Sequence, residues 1–162
     1  MDGKKISVLF VCTGNIFRSM SAEHILKHLD KNNDFMVASA GTDAVIQNMS
    51  PYVRAELESF GVDPSSHSQT QLTENVLKRY DLVVAMSTDH KDFIKRKFGV
   101  DVLLFNEIAL GKKEGLPDIW EAIPDYLEKP RATEEYMRRV VDYIYEAMPK
   151  FMKNAFSYAK KR

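Results

Sequence analysis

The sequence predicts an α/β fold in three layers, a parallel sheet covered by helices on both faces. Two observations carry that expectation. Short apolar, β-branched runs alternate along the chain with segments whose apolar residues recur every three or four positions. The first run ends in a polar turn that leads straight into a helical pattern. Right-handed crossovers then place that turn at the carboxyl end of the first strand, where open α/β sheets bind ligands.

Residues 5–11 are apolar and β-branched, a buried strand. Residues 19–30 carry Met20, Ala22, His24, Ile25, Leu26 and Leu29 at helical spacing. A second strand over 35–39 runs into Ala40-Gly41-Thr42, and 43–49 is a loop. Ser50-Pro51 opens a helix with a good N-cap and a proline in the first turn. It runs through Val53, Leu57 and Phe60 and stops at Gly61. A polar loop over 62–72 holds His67, and 73–79 is a short helix capped by Thr73. Residues 81–86 form a third strand. Residues 87–98 form a helix capped by Ser87 or Thr88 and ended by Gly99, and 100–105 form a fourth strand. The segment 106–130, with its Pro-Asp pairs and Trp120, is long for a structureless loop, a length that usually marks function or a covered site. From Arg131 the pattern is helical again through Tyr136, Val140, Ile144, Ala147, Phe151, Ala155 and Tyr158, with Pro149 predicting a kink or a division. With no repeat or low-complexity tract, residues 1–162 read as a single domain.

Lysine plus arginine number 23 and aspartate plus glutamate 23, so the balanced charge argues against a general nucleic-acid binder. No apolar run approaches the ~20 residues of a membrane span, and no membrane partner is expected. The N-terminus is too short in its apolar part for a signal peptide. Cys12 is the only cysteine, which excludes an internal disulfide and a cysteine-rich metal site. A lone reduced thiol suits a cytoplasmic location. His24, His28 and His90 read as helix-surface residues, and no two stand at metal-ligand spacing with a carboxylate pair. Neither a metal nor a cofactor is expected.

The stretch 8–23, VLFVCTGNIFRSMSAE, carries the chemistry. Cys12 closes the first strand and Arg18 follows six positions on. Turn amides and a helix N-terminus make an anion cradle, which also favours the anionic form of a thiol held there. Thr13, Gly14, Asn15, Ile16, Phe17, Arg18 and Ser19 supply the cradle. Gly14 and Asn15 are residue types that tolerate left-handed backbone. Arg18 offers a planar fork to two phosphate oxygens. Ser19 can donate its hydroxyl to the sulfur or simply cap the helix. A thiolate, an arginine and a ring of amides around one point suit attack on phosphorus. The bland alternative for Cys12, a structural thiol behind a strand, leaves the Gly-Asn pair and Arg18 without a purpose.

In the order C-x-G-N-x-x-R-S, these residues make the chain resemble the low-molecular-weight protein tyrosine phosphatases. The resemblance continues through Ser39-Ala40-Gly41-Thr42, Ser50-Pro51 with Arg54-Ala55, Gly61-Val62-Asp63 before His67, and the strand at 81–86. It implies a four-stranded sheet of order 2-1-3-4. It also implies that Cys12 forms a cysteinyl-phosphate, that Arg18 holds the transferring phosphoryl group, and that Asn15, Ser39 and His67 support the loop from behind. A surface histidine is the alternative reading of His67. The proton donor to the leaving oxygen must lie opposite the thiolate. Asp125, in Ile123-Pro124-Asp125 ahead of the last helix, matches the family's acid, and Asp118, also preceded by proline, is its rival. The implied substrate is a phosphotyrosine protein or a small aryl phosphate, acted on by a monomer or weak dimer.

The chain departs from the family pattern at several places. Phe17 stands where many members have a second cysteine, and Met20 replaces the usual proline. Tyr126-Leu127 follows Asp125 in place of Pro-Tyr. Val45 stands where some members have a pocket-wall aromatic, with Tyr126 or Trp120 as possible substitutes. Ile16 is a bulky apolar residue suited to an aromatic ring, where members acting on phosphoarginine have threonine. Two other functions compete: an arsenate reductase, which in its thioredoxin-coupled form passes oxidation to further cysteines of its own chain, and a silent phosphate-binding module that releases no phosphate. Without a neighbouring cysteine, an oxidised Cys12 has no partner in the chain to trap it as a disulfide. Peroxide is therefore expected to abolish activity that dithiothreitol restores poorly; full recovery after high peroxide would refute this.

Overall fold

The computed structural model describes residues 3–159. Strand β1 (Ile6–Cys12) is an inner strand of a four-stranded, all-parallel sheet of order β2-β1-β3-β4, the order expected from the sequence. On one side it pairs with β2 (Phe35–Gly41), from Ile6 opposite Phe35 to Cys12 opposite Gly41. On the other it pairs with β3 (Leu82–Ala85), from Val8 opposite Leu82 to Val11 opposite Ala85. The short β4 (Leu103–Leu104) extends β3.

An inner strand with helices on both faces has no solvent side, which is why β1 is apolar apart from Ser7, whose N–H and hydroxyl donate to Asp81. Its alternation divides the core in two. Val8, Phe10 and Cys12 face a cluster with α1 (Arg18–Leu29), α2 (Pro51–Ser59), α5 (Phe105–Leu110) and the long α7 (Pro130–Tyr158). Leu9 and Val11 face a second cluster with Leu77 of α3 (Glu74–Leu77) and Ile94 of α4 (Thr88–Phe98). Phe151 is fully buried in the first cluster, stacked on Phe105 at 5.3 Å and tilted against Phe10 at 5.2 Å between ring centroids.

Local chemistry sets most boundaries. The Ser50 hydroxyl accepts from Tyr52 N–H and the Thr73 hydroxyl from Val76 N–H, capping α2 and α3. Gly99 takes φ +69° to close α4. Three expectations are corrected. The fourth strand is only two residues long, because Phe105 turns its ring into the core as the first residue of α5 rather than extending the sheet. The segment 106–130 is not structureless: it contains most of α5, then α6 (Ile119–Ala122) and a 3₁₀ turn (Tyr126–Glu128). Pro149 does not divide α7, since it lies on the exposed face where a missing N–H leaves no buried carbonyl orphaned. Among the described residues no helix is long and apolar enough to cross a membrane.

Phe151→Ala removes the middle ring of this aromatic cluster with nothing free to refill the space. We expect a loss of ~3–5 kcal/mol, read as a lower denaturant midpoint with an unchanged slope.

Candidate active site

Cys12 ends β1 buried, and the next five residues form the loop that leads into α1. The loop is clamped to the end of β2. Thr42 N–H donates to the Cys12 carbonyl and Asp43 N–H to that of Thr13, both at 2.9 Å. Gly41 lies directly beneath: a Cβ there would run into the Thr13 carbonyl and stand 3.0 Å from Asn15 N. Close approach, rather than an unusual backbone angle, requires glycine at this position.

Asn15 alone in the loop adopts left-handed backbone, φ +55°; Gly14 does not. Its side chain is fully used. The amide donates to Ser39 at 2.7 Å and Ser19 at 3.0 Å, and the oxygen accepts from Thr70 N–H at 2.8 Å. Its carbonyl lies 2.6 Å from His67 Nε2, and Ser39 passes the network on to Glu23 at 2.8 Å. Asn15, Ser39 and His67 therefore meet behind the loop. Ser19 Oγ is 2.9 Å from Cys12 Sγ. Because Asn15 already donates to that oxygen, the serine proton is free to point at sulfur, the arrangement that stabilises a thiolate.

Arg18 is 1% exposed, a buried cation at the first position of α1. It donates to the Leu116 carbonyl at 2.7 Å and to Asp118 Oδ2 at 2.9 Å. Leu116 is itself tied to β3 by its N–H, which donates to the Met86 carbonyl at 2.9 Å. The Tyr136 hydroxyl of α7 donates to the Pro117 carbonyl, and Asp118 Oδ1 accepts from Ile119 N–H at 2.7 Å as the cap of α6. Cys12, Arg18 and Asp118 line one cavity of about 200 Å³, with Ile16, Phe17, Val53, Ile119 and Met137 among its walls.

A family model described as low molecular weight phosphotyrosine protein phosphatase matches residues 7–160. The chain belongs to that family. The protein-tyrosine-phosphatase PtpB of Staphylococcus aureus is 40% identical over 111 residues, 68% of this chain and 77% of that protein. The solved low-molecular-weight protein tyrosine phosphatase of T. tengcongensis shares 27% identity over 92% of this chain and 99% of its own, with a TM-score of 0.77. The arginine phosphatase YwlE of Bacillus subtilis, solved with a phosphorylated active-site serine, is also similar: 25% identity, 91% and 94% coverage, TM-score 0.76.

In this phosphatase the expected acid is not at the cavity. Asp125 precedes the 3₁₀ turn, is 47% exposed, and pairs with Lys129 at 2.9 Å, a contact that lowers its pKa. The carboxylate that reaches the cavity is Asp118. Counting back from the last helix misled because α6 and the 3₁₀ turn occupy the intervening chain. The useful signal was Leu116 just before Pro117-Asp118, an apolar residue able to bring the segment back onto the sheet.

Two histidines read as surface residues are buried. His24 packs against His67, with 3.3 Å between ring nitrogens. His90 stands below the loop, 1% exposed: Nδ1 accepts from Ser87 N–H at 3.1 Å, so Nε2 carries the proton of the neutral ring, 2.9 Å from Thr13 Oγ1. The capping geometry of Ser87-x-x-His90 was the missed signal. Trp120 is exposed, and neither it nor Tyr126 joins the cavity wall in place of Val45; Phe17 is the aromatic that does.

Burial, and then the Arg18 charge beside it, push the His90 pKa from 6.5 down to about 4. The unfolded chain then binds the proton first as pH falls, so folding loses stability between pH 6.5 and about 4, by a few kcal/mol in all. His90→Gln keeps an acceptor and a donor but does not titrate. Its stability should fall less steeply than wild type across that window, read from denaturant midpoints at a series of pH values.

Proposed function

We propose that this chain hydrolyses phosphotyrosine in proteins, and small aryl phosphates, through a cysteinyl-phosphate intermediate. The observation that carries the proposal is the convergence of Cys12, Arg18 and Asp118 on one cavity. The substrate dianion enters the amide cradle of Thr13, Gly14, Asn15, Ile16, Phe17, Arg18 and Ser19, and takes the guanidinium fork of Arg18. Cys12 attacks phosphorus as thiolate while Asp118, which takes up a proton from solvent once the phosphate displaces it from Arg18, gives that proton to the departing phenolate oxygen. In the second step Asp118 takes a proton from water, water attacks the cysteinyl-phosphate, and the Ser19 hydroxyl receives the leaving sulfur. No cofactor enters the scheme, and a reducing cytoplasmic setting suits the single thiol.

Asp118 takes the acid role from Asp125 for a geometric reason. A proton donor must be within reach of the leaving oxygen, and only Asp118 of the two stands at the cavity. The apolar walls Ile16, Val53, Ile119 and Met137, with Phe17, favour an aromatic ring over a guanidinium. The similarity to YwlE supplies a second reading, phosphoarginine, that a direct comparison separates. With one cysteine, a reductase that shuttles a disulfide within its own chain has no partner for Cys12.

The test is release of phosphate from an aryl phosphate, a phosphotyrosine peptide and a phosphoarginine peptide. Cys12→Ser is expected to show no turnover. Asp118→Asn is expected to lose roughly 10²–10⁴-fold in kcat with the alkaline limb of its pH profile flattened, and Asp125→Asn to stay near wild type. The opposite ranking of the two asparagine variants would return the acid role to Asp125. Faster release from phosphoarginine than from phosphotyrosine would replace the substrate class.

A further inference from the structure

Behind the cradle, Glu23 and His24 of α1 meet His67 of the loop 62–72. One donor atom from each lies within 4.8 Å of the others. His24 Nε2 is 3.2 Å from Glu23 Oε2 and 3.3 Å from His67 Nδ1. Two ligand atoms bound at 2.0–2.1 Å to a tetrahedral zinc ion are about 3.3 Å apart, so these separations already match edges of a coordination tetrahedron.

The surroundings are those of a ligand set. His67 Nε2 donates to the Asn15 carbonyl at 2.6 Å, which fixes the tautomer and leaves the Nδ1 lone pair facing His24. Metal-binding histidines are anchored in this way through their second nitrogen. The other Glu23 oxygen is anchored as well, accepting from the Ser39 hydroxyl at 2.8 Å. Burial outweighs the Glu23 charge and lowers the His24 pKa, keeping the imidazole neutral and able to ligate. A cation already occupies Glu23 Oε2: the half-exposed Lys27 ammonium, at 2.9 Å.

We propose that Glu23, His24 and His67 form a binding site for a divalent cation of the zinc class, with water as the fourth ligand. On binding, Lys27 swings into solvent still protonated, and His24 moves its proton from Nε2 to Nδ1 through solvent. Metal on His67 Nδ1 makes the Nε2–H a stronger donor and ties occupancy to the firmness of the Asn15 carbonyl, hence of the phosphate loop. The sequence reading excluded a metal because it compared histidines by local spacing, and His24 and His67 are 43 positions apart.

The test uses Cys12→Ser protein, which removes the competing thiolate, stripped with chelator and titrated calorimetrically with zinc chloride. The expected result is one bound equivalent and a rise in Tm. In the same background His24→Gln should weaken affinity by more than the ~10–100-fold that losing an outer partner costs, whereas Lys27→Ala should tighten it. No zinc bound by Cys12→Ser, or equal affinity in His24→Gln, overturns the site. If His24→Gln does not fold, Lys27→Ala decides, and unchanged or weaker binding there overturns it. No turnover is measured, so failure here leaves the phosphatase reading where it stood.

Discussion

The loop after β1 has to turn sharply enough for its amides to converge, and the residue that makes the turn is Asn15. A left-handed non-glycine residue is held there only when its surroundings over-determine it. Here three elements do so: β2 through Ser39, α1 through Ser19, and the 62–72 loop through Thr70 and His67. β2 adds the Gly41 backbone, which leaves no room for any side chain under the loop. The same side chain that sets the backbone also orients Ser19 towards Cys12, so loop shape and thiolate stabilisation are one network. This explains why buried Asn15, Ser19, Glu23 and Ser39 collect at this end of the sheet, linked through one chain of hydrogen bonds.

Burying Arg18 raises a second constraint. An isolated charge in the interior costs several kcal/mol unless it is paired and its donors are satisfied. The Leu116 carbonyl and Asp118 supply acceptors, and neutral His90 lies 3.4 Å away without adding a second positive charge. This requirement draws the segment 115–118 onto the end of β3, with Tyr136 of α7 holding Pro117 from the other side. The guanidinium thus organises the far wall of the cavity as well as its floor.

The alternation of strands and helices, the position of the loop and the pair Cys12–Arg18 were legible because each rests on a local pattern. The continuous apolar run of β1 is visible in a few letters, and the spacing from Cys12 to Arg18 is fixed by a single turn. Asp118 was less legible, because its role depends on where a segment one hundred positions from Arg18 returns to the sheet. No periodicity reports that return. His90 and His24 failed for a related reason. A histidine on a helix reads as surface until something across the fold covers it, and what covers them is the loop itself and His67. The truncated fourth strand was a case of tertiary context overriding an apolar run that fits either element.

Asp118 and a phosphate bound in the cradle would compete for the same guanidinium. Asp118 serves as the anion that Arg18 requires. In the proposed reaction the incoming phosphate takes over that fork and displaces Asp118 Oδ2, while Oδ1 remains tied to the start of α6 by Ile119 N–H. The carboxyl is therefore released from Arg18 without being released from the site. It stays leashed at the cavity mouth, where the leaving oxygen of an in-line displacement must emerge. Arrival of substrate and freeing of the acid become one exchange at Arg18, and the acid engages only when there is a phosphoryl group for it to serve. An acid at Asp125, tied to Lys129 on the surface, has no such exchange to join.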